Sequence, residues 1–133
     1  MKYAHIDHSA DQIKMQELID HLSNTADKAK SLASEIGLGN IMYLVGILHD
    51  AGKASDAFQH KIINNTDERV NHSSAGAQYL VSLYLRCSKD TSFDIDLLQE
   101  YFYILIYVIS AHHGIYDIPY YDIDNNLSNR LKD

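Results

Sequence analysis

Apolar residues recur at helical spacing along most of the chain. Between Ser9 and Ile36 they fall at Ile13, Leu18, Leu22, Ala26, Ala29, Leu32 and Ile36, roughly the spacing of a helix with one buried face. Gly37 is placed to stop that helix. Asn40 can cap a second helix through Ile41, Met42, Leu44, Val45, Ile47 and Leu48; being apolar on nearly every side, it reads as central. A short helical piece is expected from Ser55 to Ile63, followed by a polar connector from Asn64 to Asn71. Ser73 or Ser74 can cap a helix carrying Ala77, Leu80, Val81 and Leu85, and Asp94 or Asp96 can open a long helix through Leu97 to His113 that Gly114 would end. The segment YILIYVI alone would pass for a buried strand, but the length of the surrounding pattern favours helix. The tail from Asp117, with Pro119 and Asn125-Asn126, reads as loop. The expected fold class is all-α.

Composition narrows the picture. A chain of 133 residues, nearly half of them hydrophobic, can bury one core, so a single domain over 1–133 is the expectation. The lone Cys87 allows no internal disulfide and suits a reducing cytoplasm. The N-terminus lacks the apolar core of a signal peptide, and the apolar run around Tyr101 to Ala111 is too short to cross a bilayer, so no membrane partner is expected. A net charge of −7 with 11 scattered Lys and Arg argues against nucleic acid held by a broad basic surface. Bound divalent cations could supply the missing positive charge at a phosphodiester.

Five of the eight histidines fall at helix edges or ends: His21, His49, His72, His112 and His113. Any one of them alone is more often structural. Five together, with Asp50 beside His49, suit a first-row divalent metal, and a carboxylate can bridge two cations about 3.5–4 Å apart. There is no zinc-finger or HExxH spacing, so the ligands would have to converge from several helices. His5, His8 and His60 have weaker contexts and read as surface or supporting residues. Gly52 reads as a helix-end glycine, and Lys53 either as a solvated lysine after it or as a charge for phosphate. Cys87 lies between Arg86 and Ser88 with no histidine near it in sequence, which argues against a nucleophile. The 10 tyrosines read as core and rim residues before they read as base-stacking ones.

These residues resemble a known family. HDAGK, at 49–53, looks like the signature of HD-domain metal-dependent phosphohydrolases. Four further pieces occur in order with it: YAH at 3–5, LIDHL at 18–22, NHSSAGA at 71–77 and AHHG at 111–114, and the signature extends to HDAGKASDAFQ at 49–59. Together they resemble the CRISPR-associated HD nuclease domain of type I interference systems. The resemblance implies an HD helical bundle with a metal site in its core. One or two divalent ions (Mn, Mg, Ni, Co, Fe or Zn) would be held by His21, His49, Asp50, His72, His112 and His113, with Asp50 bridging and Lys53 near the scissile phosphate. It implies cleavage of single-stranded DNA in the cytoplasm. The strand would be fed by a CRISPR-associated helicase, fused or separate, that is recruited by the Cascade surveillance complex. Family members usually continue for several helices that provide another aspartate ligand, so the resemblance implies that these helices are missing here. Asp117, Asp122 and Asp124 are the nearby carboxylates. Two other readings remain open: an HD phosphohydrolase acting on nucleotides or cyclic nucleotides, the cyclic-dinucleotide version being weakened by the lack of Gly-Tyr-Pro after HHG, and an inactive docking module.

Overall fold

The N-terminal helix begins later than its apolar spacing predicts, because a hairpin precedes it. The computed structural model describes residues 1–9 and 12–113. Gly114 and the tail with Asp117, Asp122 and Asp124 lie outside the described residues. Strand β1 (Tyr3–Asp7) pairs antiparallel with β2 (Lys14–Glu17) through Tyr3↔Glu17, His5↔Gln16, Ile6↔Met15 and Asp7↔Lys14. Two steps on β1 oppose one on β2, so Ala4 is the extra residue of a bulge. The alternation in YAHID, with Ala4 buried, Ile6 half-buried and His5 and Asp7 exposed, is the period of a strand. Ile13 precedes β2 and is exposed, five residues ahead of Leu18, where the three-and-four spacing begins.

The described residues form two compact units, one from Met1 to His72 and one from Ser73 onward. In the first, Leu18 N–H donates to Lys2 C=O at 2.9 Å, which ties the hairpin to the start of α1 (Leu18–Ala33). Leu18, Leu22, Ala26, Ala29 and Ala33 turn inward, whereas Leu32 and Ile36 are exposed and drop out of the expected stripe. A short 3₁₀ turn follows, and Gly37 ends it with φ of 75°, the left-handed stop expected there. Helix α2 (Gly39–Leu48) packs on α1 through a pair of small residues: a Cβ on Gly46 would stand 2.5 Å from Ala26 Cα. Only glycine permits that approach. Helix α3 (Asp56–Asn64) is capped by Ser55, whose Oγ accepts from Phe58 N–H at 3.3 Å, and it ends at Asn65 in the left-handed region.

In the second unit, α4 (Ser74–Cys87) packs against α5 (Ile95–Ser110). Asp94 caps α5, its Oδ1 accepting from the N–H groups of Asp96 and Leu97 at 3.1 Å. Leu80 and Ile109 are fully buried, Leu85 is exposed against expectation, and Tyr84 and Phe102 stack with ring centroids 5.7 Å apart. YILIYVI is helical, as its context predicts. No helix among the described residues is long and apolar enough to cross a membrane.

Candidate metal centre

The last carbonyls of a helix lack partners within it. His49, just past α2, answers one of them: its Nδ1 lies 2.7 Å from Gly46 C=O. That bond assigns the proton to Nδ1 and leaves Nε2 with its lone pair. Asp50 follows with φ of −116° and ψ of 18°, outside the helical region, so α2 has ended before it. Its Oδ2 lies 3.3 Å from His49 Nε2 and 3.0 Å from His21 Nε2, and the two imidazole nitrogens are 3.3 Å apart. His21 reaches this point from α1, one turn after Leu18. His72 Nε2 lies 3.7 Å from Asp50 Oδ1, its Nδ1 being directed at Val70 C=O at 3.3 Å.

His49 Nε2, an acceptor in this tautomer, and Asp50 Oδ2 therefore face one another, an arrangement that suits a shared cation. Donors about 3.0–3.4 Å apart suit a centre bonded at about 2.1 Å to each, the usual length to imidazole and carboxylate. The chemistry fits as well: two imidazoles and a carboxylate suit a first-row divalent ion. His21, His49 and Asp50 form a set that could hold one metal ion.

Electrostatics favour the same view. Asp50 is 3% exposed, and a carboxylate that deeply buried needs compensating charge. Lys53, 4% exposed, supplies some of it, with Nζ 2.9 Å from Asp50 Oδ2. Lys53 is thus not the solvated lysine that its position after Gly52 allows. The His5 ring is held below its ordinary pKa, first by burial and then by the charge of Lys53, while Asp50 acts in the opposite sense.

Gly52 also departs from the sequence reading. Its φ is not positive, so it is not a left-handed helix stop. It is buried against the His72 backbone: a Cβ there would meet His72 C=O oxygen at 2.1 Å and His72 Cα at 2.7 Å. The glycine in HDAGK is a close-approach residue that lets His72 come near Asp50.

His112 and His113 belong to the second unit, just after α5. His112 repeats the His49 device, with Nδ1 2.6 Å from Ile109 C=O, and its ring lies 4.0 Å from that of His113. His8 and His60 are exposed, as expected, and His8 Nε2 lies 2.8 Å from Ile62 C=O. In the sequence Gln59 stood only as the last residue of HDAGKASDAFQ, without a role, and His5, expected at the surface or in support, is exposed and lies 3.3 Å from Lys53 Nζ. Gln59 is buried and bonded to Tyr3 and to Lys53 C=O; a buried glutamine three residues after Asp56 carries no periodic signal.

The model of the family described as Cas3, HD domain matches residues 5–130, a span that contains every histidine and carboxylate of the cluster. Ribonuclease Y of Opitutus terrae (strain DSM 11246 / JCM 15787 / PB90-1) is 36% identical over 66 residues, which cover 49% of this chain and 11% of that protein. The chain thus spans about a tenth of the length of that relative. No solved structure matches.

Proposed function

We propose, because this chain belongs to the Cas3 HD-domain family, that it hydrolyses phosphodiester bonds of single-stranded DNA in CRISPR type I interference. The family itself is one of HD-type metal-dependent phosphohydrolases, and that coarser class is the chain's own. The observation that carries the finer reading is the facing pair of lone-pair atoms, His49 Nε2 and Asp50 Oδ2, with His21 Nε2 completing the set. In this reading His21, His49 and Asp50 hold one divalent ion, and His72, His112 and His113 with Asp50 hold a second. A bound divalent cation supplies Lewis acidity, easing deprotonation of water and offsetting charge on the phosphate. Asp50 contributes the shared carboxylate, with the Lys53 ammonium 2.9 Å from its Oδ2. Lys53 contributes a positive charge beside the scissile phosphate, and the His49 Nδ1 bond to Gly46 holds that imidazole in its ligating tautomer.

With a net charge of −7 the chain has little basic surface of its own for a strand. A CRISPR-associated helicase, fused or separate, would therefore supply most of the grip, brought to its target by Cascade in the cytoplasm. The name of the Ribonuclease Y relative supports a second reading, hydrolysis of RNA by the same site. The deciding experiment is metal analysis together with cleavage of labelled single-stranded DNA and RNA in Mn, Ni or Mg, for wild type and Asp50→Ala. Cleavage of DNA by wild type alone is expected; preference for RNA installs the second reading. Absence of bound metal, with equal cleavage by both proteins, overturns both.

A further inference from the structure

Strand β1 brings to the cluster a residue that the ligand set does not use. His5 Nε2 lies 3.3 Å from Lys53 Nζ, and its ring meets His21 edge-on with centroids 5.1 Å apart. The backbone builds this approach. Gln59 Oε1 accepts from Tyr3 N–H at 2.9 Å, and its Nε2 donates to Tyr3 C=O at 2.8 Å and to Lys53 C=O at 2.7 Å. One buried amide thus fixes the strand carrying His5 and the turn carrying Lys53 in a common frame. The Ala4 bulge lies between the residue that Gln59 clamps and His5, and bulges commonly re-aim the side chain beside them.

A buried ammonium needs acceptors for its protons. Asp50 Oδ2 takes one proton of Lys53 and His5 Nε2 takes another. Asp50 Oδ2 is also the oxygen on which His21 and His49 converge. A divalent cation at that oxygen would repel the ammonium, since like charges in a buried site interact strongly. His5 is the acceptor that does not share this conflict.

We infer that His5 is a positioning residue: through Nε2 it holds the Lys53 ammonium beside the cluster, and it keeps the ammonium there when Asp50 turns its charge to a divalent ion. The catalytic consequence rests on the proposed role of Lys53 at the phosphate, whereas the holding of Lys53 does not.

The test compares wild type with His5→Gln, His5→Asn and His5→Leu. Glutamine can place an oxygen where Nε2 stands, and asparagine, of similar size to leucine, reaches only the Nδ1 position. The first readout uses metal-free protein: reductive methylation of Lys53, followed by peptide mass spectrometry. Loss of a hydrogen bond to a charged group frees the amine roughly tenfold, so Asn and Leu variants should label about that much faster and Gln should label like wild type. The Gln and Asn pair carries the comparison should His5→Leu fail to fold. The second readout is cleavage kinetics, where losing a charge aimed at the transition state lowers kcat while KM stays nearly constant. His5→Asn should lose kcat about tenfold and His5→Gln should regain it. Equal labelling in all variants overturns the inference, whereas faster labelling with an unchanged kcat in an active His5→Asn overturns the proposed role of Lys53 at the phosphate and leaves the holding of Lys53 standing. If wild type cleaves nothing, the proposed function fails, and labelling alone decides whether His5 holds Lys53.

Discussion

Replacing Gly52 by alanine tests the contact that brings His72 to Asp50. The added Cβ would sit 2.1 Å from the His72 carbonyl oxygen, and ordinary contact begins near 3.4 Å, so the His72 backbone must retreat by about 1.3 Å. No flexible side-chain end can absorb this, because the three nearest atoms all belong to the His72 backbone. Overpacking usually costs about 1–3 kcal/mol. Backbone against backbone belongs at the upper end, so we expect a loss of about 3 kcal/mol in urea unfolding. The same retreat acts on a His72 Nε2 that is already 3.7 Å from Asp50 Oδ1. Displacement of about 1 Å at a reacting centre can cost roughly a hundredfold in rate, and cleavage should fall by that order. Gly37→Ala is the control: a Cβ there meets nothing within 4 Å, and the cost is the left-handed φ, about 1 kcal/mol. If Gly52→Ala unfolds within about 0.5 kcal/mol of wild type, a change typical of an unconstrained surface site, the close approach is refuted.

Gln59→Leu leaves the Tyr3 N–H and C=O and the Lys53 C=O without their partner, and at about 1–3 kcal/mol for each buried orphan we expect a loss of at least about 3 kcal/mol; a loss below about 1 kcal/mol by urea titration contradicts the clamp. A divalent ion at a hundred times its Kd should raise the unfolding free energy by about 2.7 kcal/mol. EDTA should reverse that gain, and Asp50→Ala should not show it; an equal gain in the variant points to binding elsewhere. Asp7 titrates below the ordinary carboxylate range because of the Ser9 hydroxyl and N–H, and Asp90 because of the Ser92 N–H and hydroxyl. Their folded pKa values are depressed, so their small contribution to stability is present at neutral pH and is lost as pH falls through those values; carboxyl shifts followed by NMR should show midpoints below those of Asp7 and Asp90 in the unfolded chain.

Length and apolar content made α2 and α5 legible, because an apolar run with no turn signals inside it is too long for a buried strand. Ser55 and Asp94 announced their helices for a local reason, a side-chain oxygen within reach of the next free N–H groups. The hairpin escaped for an equally physical reason: a strand pairing depends on a partner that the local pattern does not name. The chemistry of the site, imidazoles with one carboxylate, was written in residue types and in the order of HDAGK and its companion pieces. Tertiary structure decided what those residues do to one another. It placed the His49 and Asp50 lone pairs face to face and buried Lys53 beside them. It made Gly52 a point of close approach rather than a helix stop, and it brought His5 to Lys53 through a clamp from Gln59. Such contacts join residues up to 56 positions apart, and no local pattern encodes a distance between elements that only packing brings together.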